Sequence, residues 1–202
     1  MTSPVVHTTF DGGAPEPVWR DVAELFVESF TAAPYFEDAA ELGTIAQWGP
    51  EHLRQGAGRL VAARRDERLV GFALAHGLVG DAAWQGILSQ LTDSTDASSA
   101  LDRPENALVV HELAVRESER GRGIAGSCLA ALLQDRPEPR TFIGVYERAT
   151  AAAAMYRHWQ LTEIGQVPMP GDAVALHVLT APTARLASHL ARSASVLRRE
   201  PA

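Results

Sequence analysis

The sequence predicts a single domain of the mixed α/β (α+β) class, and three observations carry that prediction. The chain has 202 residues, a length that suits one domain. Hydrophobic residues make up 46% and charged residues 21%, which is ordinary globular composition. Short runs of strand character alternate with stretches of helical periodicity, most clearly between Ala107 and Leu179. We therefore expect one domain over residues 1–182, followed by a helical tail over 183–202.

The first third of the chain predicts a strand, a helix and a hairpin, in that order. Val5–Phe10 has strand character and ends at a glycine-containing turn. Apolar side chains then recur at helical spacing over Pro17–Ala32. Two short apolar runs, Arg59–Ala63 and Leu69–Ala75, flank a charged turn. That arrangement is typical of a β-hairpin.

The segment from Gly80 to Asn106 is long for a connection inside one domain. Its apolar residues, beginning with Trp84, are spaced along one face of a short helix. The following stretch, Thr92–Ala100, is rich in serine, threonine and aspartate. We expect it to be a mobile loop that orders over a substrate.

The second half of the chain alternates between the two periodicities. The pattern predicts strands over Ala107–Val115, Arg140–Tyr146, Leu161–Val167 and Ala173–Leu179, and helices over Gly123–Gln134, Thr150–His158 and Thr183–Arg199. No internal repeat interrupts this order, so the elements belong to one mixed domain.

The basic residues exclude several enzyme classes. All 18 are arginine, so a P-loop lysine, a kinase strand lysine and a Schiff-base lysine are all impossible here. The net charge of −7 and the pI near 5.5 argue against nucleic acid as a partner. A cationic small molecule would instead be attracted to the chain.

The compartment is predicted from cysteine use and hydropathy. The single cysteine, Cys128, cannot form an internal disulfide or a cysteine metal cluster, which fits a reducing cytosol. The sequence has no run of 18 apolar residues and no basic segment leading into an apolar stretch near its start. We therefore expect a cytoplasmic protein with no membrane partner, and the histidine spacings predict no metal.

A glycine-rich turn stands between a predicted strand and a predicted helix. Gly121–Gly126 matches the pattern G-x-G-x-x-G, in which glycines let the backbone approach a phosphate closely. A dinucleotide-binding fold would place the first glycine directly after the strand, whereas Arg116–Arg120 intervene here. The remaining chain is also too short for the further strand–helix units of that fold. The dinucleotide interpretation is therefore the weaker one.

The same turn resembles the GNAT superfamily of acetyl-CoA-dependent N-acetyltransferases. Arg120–Ala125 fits the pattern Arg/Gln-x-x-Gly-x-Gly/Ala of that family, and Leu113–Glu119 resembles its preceding strand and loop. Ala152 and Met155–Arg157 resemble its later helix, with an Ala-x-x-hydrophobic-Tyr pattern. The resemblance implies a central, mostly antiparallel sheet with a splayed parallel strand pair, flanked by helices. It also implies acetyl-CoA as co-substrate, with no metal.

The resemblance further implies which residues hold the coenzyme. The pyrophosphate would lie on the glycine turn and the helix that follows it, and the pantetheine arm would pair with the preceding strand. The residues implied are Arg120, Gly121, Arg122, Gly123, Ile124, Ala125 and Gly126 for the pyrophosphate, and Leu113, Ala114 and Val115 for the arm.

Three titratable residues are candidates for catalysis. Tyr156 resembles the family tyrosine that protonates the departing thiolate. His111 and Glu112 are the nearest titratable pair to the implied thioester slot. Strand alternation puts the two side chains on opposite faces of the strand, with His111 on the face of Leu113. That position, together with an unperturbed pKa near neutrality, favours His111 as the general base. A bulge in the strand would reverse the choice.

The acceptor is expected to be a primary amine of a small molecule. Aromatic walls and acidic groups that would hold an ammonium are offered by Tyr35, Phe36, Trp84, Glu37, Asp38 and Glu41. Two alternatives stay open: a peptide or protein amine as acceptor, and a non-catalytic acyl-CoA sensor. Whether a homodimer forms is also open.

Overall fold

A seven-stranded sheet organises the computed structural model, which describes residues 3–169 and 174–197, the side chains of 194–197 excepted. Its strands are β1 (Val6–Asp11), β2 (Arg59–Arg65), β3 (Arg68–Gly77), β4 (Ala107–Val115), β5 (Arg140–Tyr146), β6 (Thr162–Pro168) and β7 (Ala175–Pro182). They lie in the order β1-β2-β3-β4-β5-β7-β6. Every neighbouring pair is antiparallel except β4 and β5, which are parallel. The predicted fold class is therefore confirmed.

Eight α-helices flank this sheet in the described part of the chain. They are α1 (Glu16–Phe30), α2 (Ala39–Gly43), α3 (Ile45–Arg54), α4 (Ala82–Leu88), α5 (Thr95–Asp102), α6 (Ile124–Leu133), α7 (Thr150–His158) and α8 (Thr183–Leu197). None of these helices is long and apolar enough to cross a membrane.

The two faces of the sheet bury separate cores. On one face, α6, α7 and α8 pack on alternate strand residues such as Ala73 and Ala75. On the other face, Phe72 and Leu74 pack under α1 and α3. A third core lies beside the second, under α4 and α5. Because both faces are covered, the central strands are apolar on both sides, as the burial pattern of β3 shows.

Strand β4 departs from regular pairing at two places. Against β3, Val110 pairs with Ala75 and Glu112 pairs with Leu74, so His111 is an extra residue in a β-bulge. Against β5, pairing covers Ala107–Val110 alone within the described residues. Beyond Val110 the two parallel strands separate and leave a gap in the sheet.

The stretch predicted as a mobile loop is largely helical. Most of Thr92–Ala100 belongs to α5, whose first turn is capped by the Ser94 hydroxyl accepting from the Ala97 N–H. Ala97 and Ala100 are buried in the third core. The loop prediction was wrong because serine and threonine are favoured at helix caps as well as in loops, and burial of two alanines decides for the helix.

The C-terminal helix is part of the same packing unit. Leu186 and Leu190 of α8 are buried in the core that also contains Leu129 and Leu132 of α6. Residues 198–199 of the predicted helix, and Ala173 at the start of the last predicted strand, lie outside the described residues.

Candidate active site

The glycine-rich turn leads directly into α6. Gly121 and Gly123 both have φ of +76°, a left-handed conformation that residues with a Cβ rarely adopt. The Ser127 N–H donates to the Gly123 carbonyl oxygen at 3.0 Å, which begins the hydrogen bonding of the helix. The N–H groups that precede Ser127 in α6 therefore have no partner in the helix itself. Together with the helix dipole, these N–H groups could attract an anion.

A cavity of about 490 Å³ lies beside this turn. The end of β4, the turn, α6, α7 and α8 all contribute to its lining. Of the residues predicted to bind coenzyme, it is lined by Leu113, Ala114, Val115, Arg120, Gly121, Gly123, Ile124, Ala125 and Gly126. Arg122 is the exception, and its guanidinium lies 3.7 Å from the Glu119 carboxylate.

A second cavity of about 240 Å³ occupies the gap between β4 and β5. It is lined by His111, Glu112 and Leu113 from β4 and by Gly144, Val145 and Tyr146 from β5. Aromatic side chains of α1, α4 and α7 form much of the rest of its wall, namely Phe26, Phe30, Trp84 and Tyr156. Polar and apolar groups therefore contribute about equally to the wall of this slot.

The two cavities share part of their lining. Phe30, Tyr35, Leu113 and Ala152 contribute to both. A molecule in the larger cavity and one in the smaller cavity would thus meet where β4 leaves β5.

Two polar groups of the smaller cavity, Glu112 and Tyr156, lie close to Tyr35 of the shared lining. Burial, together with the nearby charge of Glu37, raises the pKa of Glu112 well above its usual range. Burial also raises the pKa of Tyr156 far above that of a free phenol, with further contributions from Tyr35 and Glu112. The phenol of Tyr156 is therefore fully protonated at neutral pH.

His111 belongs to a group that we call the histidine cluster: His52, His76, His111 and Asp81. The rings of His76 and His111 are stacked with centroids 4.2 Å apart, and His76 Nε2 is 3.1 Å from His52 Nδ1. His111 Nε2 lies 3.0 Å from Asp81 Oδ2. Burial and the neighbouring His111 lower the pKa of His76 to about 4. The cluster thus places three closely packed imidazoles around one carboxylate.

Asp81 is ionised in this setting. Burial would raise the pKa of its carboxyl, but the contact with His111 and the hydrogen bond from the Trp84 N–H outweigh it, so the net pKa is lowered. The Trp84 N–H donates to Oδ1 at 3.0 Å and caps α4. The other oxygen, Oδ2, faces the imidazoles.

The bulge changes the relation between His111 and Glu112. Val110 and Leu113 pack on the α6 face of the sheet, so the alternation that favoured His111 does not hold across the bulge. Both side chains line the smaller cavity. The prediction that the two side chains lie on opposite faces of the strand was therefore wrong. A bulge was the condition for choosing Glu112 over His111 as the candidate base, and the bulge is present.

The predicted acceptor residues separate into two groups. Tyr35, Glu37 and Trp84 line the smaller cavity. Phe36, Asp38 and Glu41 are not part of its lining in the described chain. Phe36 is 72% exposed, and the Asp38 carboxylate caps α2 by accepting from the Ala40 and Glu41 N–H groups. The local role of Asp38 as a cap explains why it is not available to a ligand.

Two sets of site residues escaped prediction. Leu190 and Ser193 of α8 line the larger cavity, although nothing local to that helix indicates a ligand. The three histidines of the histidine cluster are separated from one another by 24 or more positions in sequence, so no spacing motif marks them. Amphipathic periodicity could have placed α8 on the core, but not against a cavity.

Comparison with known proteins identifies the family. A profile of the Acetyltransferase (GNAT) family matches residues 19–159, which include β4, the glycine turn and α7. The chain belongs to this family, whose members generally use acetyl-CoA as co-substrate. The recognition made from the glycine turn and α7 is confirmed.

Solved structures share the fold at low sequence identity. Ribosomal-protein-alanine N-acetyltransferase from Brucella melitensis has a TM-score of 0.61 at 18% identity, covering 89% of this chain and 99% of its own. PH1933 from Pyrococcus horikoshii OT3 has a TM-score of 0.62 at 11% identity, covering 89% and 98%. Ribosomal-protein-S18-alanine N-acetyltransferase from Escherichia coli has 0.56 at 10%, covering 88% and 94%. No curated protein sequence matches the chain.

Proposed function

We propose that the protein transfers the acetyl group of acetyl-CoA to a primary amine of a small molecule, by direct attack in a ternary complex. The observation that carries this proposal is the meeting of the two cavities beside Leu113. One cavity runs along an anion-binding turn, and the other contains carboxylates and aromatic walls. Holding donor and acceptor against each other in this way supplies much of the rate enhancement in acyl transfer.

The larger cavity fits coenzyme A. The first N–H groups of α6 would bind the pyrophosphate, and a Cβ built at Gly121 meets nothing within 4 Å, so the turn has room for close approach. The part of β4 that no longer pairs with β5 would hydrogen-bond the pantetheine amides as an added strand. Acetyl-CoA would supply the acetyl group as a reactive thioester.

Tyr156 is placed to donate a proton to the leaving sulfur. It lies one helical turn after Ala152, which lines both cavities, and its own side chain lines the smaller one. The amine attacks as the neutral base, and its nitrogen forms a bond to the acetyl carbon while the carbon–sulfur bond breaks. The tyrosine hydroxyl proton passes to the thiolate sulfur, and the proton that the nitrogen loses in becoming an amide returns to the tyrosine oxygen. The high pKa of Tyr156 keeps that proton in place until charge develops on sulfur.

Glu112 is placed to orient the amine. Its carboxyl group lines the cavity beside Leu113, at the end of the bulge, and can accept a hydrogen bond from the attacking N–H. Glu37, on the same cavity, adds a second carboxyl for an acceptor with more than one amino group. His111 lines the cavity as well and stays an alternative for this role.

The proposal is tested by release of free coenzyme A thiol from acetyl-CoA in the presence of candidate amines. We expect release with a small dicationic amine, less with a neutral monoamine, and an acetylated product by mass spectrometry. A peptide with a free N-terminal amine is the competing acceptor. Faster acetylation of the peptide would overturn the small-molecule assignment, and coenzyme binding without thiol release from any amine would support the sensor.

The role of Tyr156 is tested by Tyr156→Phe, which removes one hydroxyl and keeps the ring. Loss of one transition-state donor is expected to lower kcat by ~10²–10³-fold, with coenzyme A affinity nearly unchanged. Tyr146→Phe is the matched control, because Tyr146 lines the same cavity from β5. It is expected to change KM for the amine more than kcat. Equal kcat in Tyr156→Phe and the parent would remove Tyr156 from the mechanism.

A further inference from the structure

The histidine cluster gathers four ligand-type side chains from four different elements. His52 comes from α3, His76 from the end of β3, His111 from the bulge of β4, and Asp81 from the N-cap of α4. The ligand nitrogens of the three histidines all lie within 4.8 Å of one another. His76 is 1% exposed and Asp81 is 7% exposed, and the cluster adjoins the smaller cavity, which His111 lines.

Three separations within the cluster are close to those of a tetrahedral coordination shell, and the histidine ligand nitrogens, which lie within 4.8 Å of one another, would draw together around an ion. Zinc bonds of 2.0–2.1 Å to nitrogen and oxygen imply about 3.3–3.4 Å between neighbouring ligand atoms. His52 Nδ1 and His76 Nε2 are 3.1 Å apart, and His111 Nε2 and Asp81 Oδ2 are 3.0 Å apart. The third separation, from His76 Nε2 to Asp81 Oδ2, is 3.7 Å. These values bracket the expected edge.

The ligand atoms are oriented by partners outside the cluster. His76 Nδ1–H donates a hydrogen bond to the Gly77 carbonyl oxygen at 2.7 Å, so the neutral ring presents a lone pair at Nε2. The Trp84 N–H donates a hydrogen bond to Asp81 Oδ1, so the other carboxylate oxygen, Oδ2, is the one that faces the imidazoles. Although Oδ2 and His111 Nε2 are close, neither has a well-aligned hydrogen bond within the described residues. Two buried polar atoms without such a bond are unusual, and a shared cation would satisfy both.

We propose that the histidine cluster binds one divalent transition-metal ion of the zinc type. Imidazole nitrogen together with carboxylate oxygen suits such an ion, and four protein ligands make a closed, structural site. The ion would link α3, β3, β4 and α4. It would thereby stabilise the bulge of β4, from which Glu112 lines the smaller cavity. His111 would then be a ligand, and Glu112 alone would orient the amine. The metal site itself does not depend on acetyl transfer.

The experiment uses the full chain, stripped with a chelator and then titrated with Zn²⁺ or Co²⁺ alone. We expect one ion per chain, a rise in Tm with Zn²⁺, and the visible absorption of tetrahedral cobalt with Co²⁺. His76→Gln and Asp81→Asn each remove one ligand and are expected to weaken binding by more than about tenfold. His177→Gln is the control, because His177 pairs with Glu163 on β6 and lies outside the cluster.

Two results would overturn the proposal. One is the absence of stoichiometric Zn²⁺ and Co²⁺ binding to the parent chain, which needs no variant to fold. The other is binding that persists in both ligand variants at the affinity of the His177→Gln control, because the ion would then lie elsewhere. Neither result bears on the acetyl transfer assay, which is carried out separately with coenzyme and amine.

Discussion

Alanine at Gly121 tests the coenzyme site most directly, because the structure supplies a matched control. Gly121 has φ of +76° and Gly12 has φ of +69°. Both are exposed, and a Cβ built at either meets nothing within 4 Å. Gly121 lines the larger cavity, whereas Gly12 lies in the turn after β1. The two substitutions therefore impose the same backbone strain, and only one adds a methyl group where phosphate is expected.

The expected magnitudes separate stability from binding. Left-handed backbone costs a residue with a Cβ roughly 1–2 kcal/mol. For a chain of this size that lowers Tm by about 2–8 °C in both Gly121→Ala and Gly12→Ala. Loss of one hydrogen bond to a charged phosphate costs about 1.5–3 kcal/mol, which is roughly 10- to 150-fold in Kd. We expect that loss of coenzyme A affinity in Gly121→Ala alone.

The assay combines thermal unfolding without ligand and calorimetric titration with coenzyme A. Equal losses of Tm with unequal losses of affinity would support the placement of pyrophosphate at the turn. Parental affinity in Gly121→Ala would refute it. A comparable loss of affinity in Gly12→Ala would show that the effect comes from general destabilisation.

Three further predictions concern charge and burial. Burial raises the pKa of Cys128 to about 12, so alkylation at pH 8 should be about 10³-fold slower in the native chain than in denaturant. Arg136→Ala leaves the buried Glu138 carboxylate unpaired and should cost about 3–5 kcal/mol in thermal unfolding, whereas exposed Arg20→Ala should have little effect. Glu37→Gln should raise KM for a dicationic amine several-fold and spare a neutral one, measured by thiol release; equal change for both would contradict a charge role.

Local sequence was sufficient wherever the determining interactions are local. The glycine turn identified the family because left-handed backbone at Gly121 and Gly123 is a property of those positions themselves. The strand and helix on either side of it follow from periodicity in the same way. By contrast, α5 was mistaken for a loop, since its buried alanines matter only once a core covers them.

By itself, the sequence determined the fold class, the family and most of the residues that line the larger cavity, because these depend on patterns within a few residues. The tertiary structure decided the rest. Whether His111 and Glu112 share a face depends on a bulge set by pairing with β3, which strand alternation does not contain. The histidine cluster and the lining of the larger cavity by α8 join residues far apart in the chain. Such contacts exist only after the sheet and helices have packed, so no spacing in the sequence records them.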